Sequence, residues 1–372
     1  MGGRAWRNLH TPRIPLKLYL HTRSLVTEAL QKVFLHVCVP LEMPSKPDFG
    51  DVDFLVAGPL LRNTDTAVIN PTNPTRSAFP YDECVAEIKK LLNTTHGRKG
   101  HLTDKVMFFA IRDPSGEGDF WIQIDVKVCY DPKLFDWQRF YLNYATLSQP
   151  VGNMMKRLGL TMDEEGLYVR VKGLEDVNWE GSKVLVTRDP LQCAKLLGLS
   201  WKMVTWGFEC DEEVYEDFAR SWLFNPVHFG SRRDDESYMS NFSKSNLFFI
   251  KTWIPEHYPD YKPKDSQMKA EFALTRCLDL ELWYATTALK ARERVFSLDP
   301  QAAETYYNKR GAFLKQMEEN RLRELITAAL PVGAEEWEDE PPFPRVVFRS
   351  QLPPTPPETP GLEPKPDSML DP

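Results

Sequence analysis

The chain has 372 residues, of which 42% are hydrophobic and 27% are charged, and its formal net charge is −7. This length favours two domains, and the composition excludes wholesale disorder, collagen and coiled coil as descriptions of the whole chain. We see no run of about 18 apolar residues, so the sequence predicts no membrane-spanning segment and no membrane partner. The opening MGGRAW fits neither a signal peptide nor a myristoylation site.

The first third of the chain predicts helices mixed with strands. Apolar residues recur near the helical period over 16–34, and short β-prone runs follow at 37–39 and 49–59. Turn-forming residues over 60–80 predict a surface loop. A helix over 81–92 and two strands, 106–111 and 120–129, complete this part.

Beyond Pro132 the pattern becomes mostly helical. Two short strands are expected at 167–171 and 184–187, and the predicted helices cover 134–145, 147–158, 190–197, 211–222, 236–251, 265–296 and 300–330. The fold class is therefore predicted as α+β, with a small mixed-sheet domain over 1–132 and a mostly helical domain over 133–330.

The last 42 residues differ from the rest in charge and composition. Residues 331–372 carry nine acidic and three basic residues and hold 12 of the 30 prolines. Because such a segment lacks apolar periodicity, it predicts a disordered acidic, Pro-rich tail that is either a spacer or a site for a protein partner. Without this segment the net charge of the chain is near −1, which argues against a broad basic surface that would bind duplex DNA.

Six cysteines are spread widely and form no CxxC pair. They predict buried thiols in a reducing compartment rather than disulfides or zinc ligands, and thus an intracellular protein, cytoplasmic or nuclear.

Two of the predicted strands carry aspartates on their polar faces. Side chains at i and i+2 of a strand share a face, so Asp51 and Asp53 lie together while Val52 and Phe54 face the other way. In the run WIQIDVKVC, Asp125 stands on a polar face, mid-strand, where Asp is disfavoured. If the two strands are neighbours, the three carboxylates converge.

Three converging carboxylates cannot all stay ionised without a cation, and oxygen ligands of this kind select Mg²⁺ or Mn²⁺. Two such ions would activate an attacking oxygen and stabilise the leaving one in an in-line phosphoryl displacement. Gly50, directly before the pair, permits a close backbone approach. The alternative is a solvated strand face or turn without a ligand.

These motifs together resemble those of the polymerase-beta-like nucleotidyltransferase superfamily. The matching pieces are Gly2-Gly3, the run 49–56 (FGDVDFLV) and Ile124-Asp125-Val126. The wider layout is similar to uncharacterised fungal and large-phage or viral nucleotidyltransferase-like proteins, with a GG-x-A opening, an Arg-bearing loop at 11–13 and an aromatic-rich helix at 140–144. The resemblance covers about residues 2–260.

The resemblance implies a role for each matching residue. Gly2 and Gly3 would form a turn whose N–H groups hold a nucleoside triphosphate, as oriented amides do in anion nests. Asp51 and Asp53 would hold the metals that bridge the phosphates, and Asp125 would ligate the catalytic metal. The remaining nucleotide-binding candidates are Gly50, Arg4, Arg13 and Lys127 near the phosphates and Asn143 and Tyr144 near the sugar or base.

The predicted function is metal-dependent transfer of a nucleoside monophosphate from a triphosphate to an acceptor, which is RNA, protein or a small molecule. Two alternatives stay open. One is a catalytically inactive nucleotide-binding or protein-interaction module with a residual acidic cluster. The other is a glycosyltransferase that uses Asp-x-Asp to hold a sugar nucleotide.

Overall fold

The computed structural model of the protein describes residue 3 and residues 5–60, 79–101, 105–143, 148–230, 236–240, 243–259 and 268–329. Its contacts divide the chain into two units, 1–311 and 312–372. The predicted loop at 60–80 is described only at its two ends, and the predicted tail lies outside the described residues, as do Gly2, Arg4 and Tyr144.

The architecture is mixed α+β, which confirms the predicted fold class. The strands are β1 (Ile14–Pro15), β2 (Phe34–Cys38), β3 (Asp48–Phe49), β4 (Val52–Pro59), β5 (His96–Lys99), β6 (Val106–Arg112), β7 (Trp121–Val128), β8 (Leu160–Asp163), β9 (Gly166–Arg170) and β10 (Lys183–Thr187). The helices up to residue 220 are α1 (Leu16–Leu30), α2 (Tyr81–Leu91), α3 (Phe135–Leu142), α4 (Ser148–Arg157), α5 (Leu174–Val177), α6 (Trp179–Ser182), α7 (Pro190–Leu197) and α8 (Asp211–Arg220).

Six further helices follow: α9 (Pro226–Gly230), α10 (Glu236–Met239), α11 (Lys244–Phe248), α12 (Ile254–His257), α13 (Met268–Leu298) and α14 (Pro300–Ala329). A π-helical turn over 249–253 joins α11 to α12. Within the part of the chain that the structure describes, no helix is long and apolar enough to cross a bilayer.

The main sheet has five strands in the order β2-β4-β7-β6-β5. The central pair, β4 and β7, is parallel, and the other three pairings are antiparallel. A three-stranded antiparallel sheet, β10-β9-β8, and a two-residue ladder of β1 with β3 complete the strands. Because β4 and β7 are neighbours, residues on their polar faces lie side by side.

Two large buried clusters hold the chain together. One is formed by residues between Ile14 and Val128, where α1 and α2 contribute apolar side chains that pack with the alternating faces of β4, β6 and β7. The other runs from Trp137 to Tyr306 and also takes in Met43. On the opposite face of the main sheet, Leu55 and Ala57 pack with Phe135 of α3 in a smaller cluster, so β4 is covered on both sides over this stretch.

Several predicted boundaries are wrong. The helix predicted over 16–34 ends at Leu30, because residues 31–33 turn and Phe34 begins β2. The helix predicted over 236–251 is wrong in its bounds, because α10 ends at Met239, α11 begins at Lys244, and the π-helical turn begins at Phe249. Strands β5 and β8 were not predicted from the sequence at all. The predicted domain boundary near 132 stays a prediction.

Candidate active site

The pairing of β4 with β7 brings two of the predicted carboxylates together. The register sets Asp53 directly opposite Asp125 in a parallel ladder. Neighbouring strands lie about 4.8 Å apart, and directly opposed residues share one face. The condition set by the sequence pattern, that the two acidic strands be neighbours, is therefore met.

The three carboxyl groups influence one another electrostatically. Asp53 reaches solvent, yet crowding by protein atoms, together with the charges of Asp51 and Asp125, raises its pKa to about 8. Burial and the charge of Asp51 raise the pKa of Asp125 to about 7, against a hydrogen bond from Gln123 that lowers it. Burial also raises the pKa of Asp51. Burial is thus the largest cause of all three shifts, and the charges of neighbouring aspartates add to it at Asp53 and Asp125.

A fourth carboxylate, which the sequence analysis missed, stands at the edge of this group. Glu42 adds negative charge that raises the pKa of both Asp51 and Asp53. Lys46 pairs with it at 2.8 Å, and its positive charge lowers both values. Their i,i+4 spacing of opposite charges was visible in the sequence, but only the tertiary structure places this segment beside Asp51.

The start of the chain braces both acidic strands. The N–H of Gly3 donates to the carbonyl of Gly50 at 2.8 Å. The N–H of Ala5 donates to Oε1 of Gln123 at 2.8 Å, and Nε2 of Gln123 donates to Oδ1 of Asp125 at 2.8 Å. A Cβ atom on Gly3 would lie 2.2 Å from Oε1 of Gln123, so this close approach requires glycine.

This arrangement changes the role assigned to Gly3. Its backbone N–H donates to the carbonyl of Gly50, so it secures the bend at Gly50 and Asp51, directly before the strand that carries Asp53, rather than standing open to a phosphate. Gln123 connects the same segment to Asp125. Gln123 lies two residues before Asp125 and so shares its face of β7, but the two residues that it connects, Ala5 and Asp125, are far apart in the sequence.

Two predicted phosphate-binding cations have protein partners. Arg13 bonds to the carboxylate and the carbonyl of Asp48, each at 2.7 Å, while its charge also lowers the pKa of Asp51. Lys127 pairs with Glu164 at 2.6 Å, and Lys105 pairs with the same carboxylate at 2.6 Å. Glu164 is therefore held between two lysines, and the pKa of this half-buried carboxyl is lowered because their hydrogen bonds and charges outweigh the effect of burial.

Asn143, predicted to reach the sugar or base, is buried instead. Its Oδ1 accepts from the N–H of Leu41 at 2.9 Å, and its Nδ2 donates to the carbonyl of Met203 at 3.2 Å. Through these bonds Asn143 connects two segments that are distant in the sequence. This geometry does not support the predicted contact of Asn143 with a nucleotide.

The donor set fits a hard divalent cation in chemistry. Mg²⁺ is commonly held by one or two carboxylates together with substrate phosphates and water, and Asp53 and Asp125 supply an adjacent pair of this kind. Over the described ranges, however, no group of three or more His, Cys, Asp and Glu side chains lies arranged to hold a metal ion. The two-ion site with Asp51, Asp53 and Asp125 as ligands therefore stays a prediction.

No protein-family model and no curated protein matches this chain. Among solved structures, part of it is similar to a ternary P/T complex of Leishmania infantum polymerase beta, with 13% identity and a TM-score of 0.38 over 51% of this chain and 74% of that one. A ternary gap complex of the same polymerase gives 13% identity and a TM-score of 0.34 over 44% and 53%. These are local similarities, and the assignment of a function rests on the site itself.

Proposed function

We propose that this chain is a metal-dependent nucleotidyltransferase that moves a nucleoside monophosphate from a nucleoside triphosphate to an acceptor hydroxyl. The observation that carries the proposal is the register of β4 with β7, which sets Asp53 opposite Asp125. Their raised pKa values support it, since carboxyls that repel one another favour binding of a cation.

In this reaction the acceptor oxygen forms a bond to the α-phosphorus, the bond from that phosphorus to the bridging oxygen breaks, and pyrophosphate leaves. A bound Mg²⁺ or Mn²⁺ ion, or a pair of ions, would neutralise the phosphate charges and lower the pKa of the attacking hydroxyl. Asp53 and Asp51 would hold the cation that the triphosphate brings. Asp125, which lies directly opposite Asp53, would hold the acceptor end of the site and accept the hydroxyl proton.

The experiment is transfer from triphosphates labelled at the α-phosphate, with Mg²⁺ or Mn²⁺ and a pool of RNA, protein and small acceptors. Label should appear in one acceptor class, and Asp53→Asn and Asp125→Asn should each lower the rate by more than about a hundredfold, since even second-shell changes at metal sites cost 10–100-fold. Asp119→Asn is the matched control, because Asp119 is highly exposed and pairs with Arg112 near the beginning of β7, six residues before Asp125. Transfer that survives both active-site substitutions would refute the proposal.

A nucleotide-binding module without catalysis is the second candidate. It is favoured by the lack of a three-ligand metal group over the described ranges and by the hydrogen bond that already engages Asp125. Binding of a nucleotide without label transfer, unchanged by Asp125→Asn, would select this function over the first.

A further inference from the structure

The second half of α14 presents apolar side chains to solvent. Leu314, Met317, Leu322, Leu325 and Ile326 are each between 47% and 63% exposed. Exposed apolar side chains scattered singly need no explanation, but a contiguous set on one element marks an interaction surface. These five lie within 13 consecutive residues of one helix, so they form such a set.

The sequence of this segment is symmetric in chemistry about the peptide bond between Glu319 and Asn320. Over 314–325, four of the six pairs of residues at equal distances from this bond are either both apolar or opposite in charge, and the other two pairs are Gln316 with Arg323 and Glu319 with Asn320. The matched pairs are Leu314 with Leu325, Lys315 with Glu324, Met317 with Leu322, and Glu318 with Arg321.

Helical geometry places the most important of these pairs on one stripe. Leu314, Glu318, Arg321 and Leu325 are spaced by four, three and four residues, and at 3.6 residues per turn they follow one face of the helix. Met317 and Leu322 flank this stripe on its two sides. Glu318 and Arg321 already approach within the helix, with 3.8 Å between Oε2 and Nη1. We call these six residues the self-complementary face.

We propose that the self-complementary face binds the same face of a second copy of this chain, with the two α14 helices antiparallel and related by a twofold axis. In that arrangement Leu314 meets Leu325 of the second copy, and Glu318 meets Arg321 of the second copy. A parallel arrangement would instead set Glu318 against Glu318 of the second copy, and like charges in contact oppose association. Antiparallel packing also opposes the two helix dipoles favourably.

The charge pattern is what selects a second copy as the occupant. A twofold interface uses one patch on both subunits, so the patch must be complementary to itself when reversed. This segment meets that requirement in its apolar positions and in its charges. The central Glu318 and Arg321 would form a four-charge layer between two leucine layers, a device that fixes register in paired helices. The contact spans about three turns, so the dimer should be weak and depend on concentration.

The experiment is sedimentation velocity of the full chain over a series of concentrations. The wild type should shift reversibly from monomer to dimer. Glu318→Arg should raise the dissociation constant roughly tenfold or more, because it sets arginine against arginine across the axis. The double variant Glu318→Arg with Arg321→Glu should restore the dimer, since it exchanges the two charges and recreates the complementarity.

Arg323→Glu is the matched control. Arg323 lies nine residues after Leu314, which is two and a half turns, so it lies on the opposite side of the helix. The substitution should leave the dissociation constant unchanged. Because every changed side chain is on an exposed surface, circular dichroism should show the same helix content in all variants.

A cross-linking measurement tests the direction of the helices. In a Cys210→Ser background, which removes an exposed thiol, Glu318→Cys lies near the twofold axis and should be joined to its own copy by a short bismaleimide. Leu314→Cys should not be joined, because antiparallel helices separate the two substituted positions by 11 residues, roughly 16 Å along the axis, whereas parallel helices would set them together. A chain that stays monomeric at all concentrations overturns the proposal, as does a dimer that Glu318→Arg leaves intact. A monomer in which residues 314–325 are protected from hydrogen exchange until 331–372 are removed also overturns it, by showing that the tail covers the face.

Discussion

Replacing Asp125 by Asn should stabilise the folded protein at alkaline pH and leave its stability unchanged at acidic pH. Folding raises the pKa of Asp125 from about 3.9 in an unfolded chain to about 7. The folded state therefore holds this proton more tightly than the unfolded chain, and the wild type loses stability as the pH rises from about 4 to about 7. The variant has no carboxyl to ionise at this position, so it avoids that loss.

The size of the gain follows from the pKa difference. At 1.36 kcal/mol per pKa unit the difference corresponds to about 4 kcal/mol at most. Solvent reaches Asp125 in part and screens the charges around it, so we expect about 1–2 kcal/mol in the free energy of unfolding at pH 8. Asn keeps an oxygen that can accept the hydrogen bond from Gln123, so this bond should survive.

Urea denaturation at about pH 4 and at pH 8, in a chelating buffer without divalent ions, measures the effect. Asp113→Asn is the opposite control: burial alone would raise the pKa of Asp113, but hydrogen bonds from Ser115, Gly118 and Glu117 lower it overall, so its loss should destabilise the protein at pH 8. Addition of Mg²⁺ at pH 8 should stabilise the wild type and not Asp125→Asn. An equal effect of Asp125→Asn at both pH values, or a loss at pH 8, would refute the electrostatic account of the site.

Three further substitutions, one of them with a matched control, test the residues that support the site. Gln123→Met should lower the transfer rate about 10–100-fold with little change in the KM for nucleotide, because Asp125 loses the group that orients it; steady-state kinetics decides this. Gly3→Ala should lower the free energy of unfolding by about 1–3 kcal/mol, since the added Cβ would overlap Gln123. The control Gly311→Ala should raise it by about 0.5–1 kcal/mol, because nothing lies within 4 Å of a Cβ at that helical position. Glu164→Gln should tighten calorimetric binding of tripolyphosphate about three- to tenfold by releasing two lysines.

The main features of the acidic strands could be predicted because local pattern and tertiary position agree there. Val52, Phe54 and Val56 alternate with Asp53, and all three are buried on one face of β4. The same alternation across 122–128 marks β7. A hydrophobic face that must be buried fixes which side chains of a strand lie on the other face, so the faces of Asp53 and Asp125 were set within each segment, whereas the pairing that sets them opposite each other comes from the tertiary structure.

The parts that were missed lack such a local signal. Strand β5 has the sequence HGRK and contains no apolar residue, because it is an edge strand that pairs with β6 on one side only. The helical period of α1 runs on toward Phe34, which instead pairs with Pro59. Here the competition between helix and strand is decided by the partner strand and not by propensity.

The hydrogen bonds that support the site join residues far apart in the sequence, and their loss would displace the carboxylates without removing them. Gly3 contacts Gly50, and Ala5 contacts a side chain 118 residues away, so the brace exists only when the central sheet is complete. Disturbing the first residues of the chain would therefore loosen Asp125 through Gln123 without removing a carboxylate. The carboxylates identify the candidate chemistry, but the N-terminal segment sets whether they are held in position to perform it.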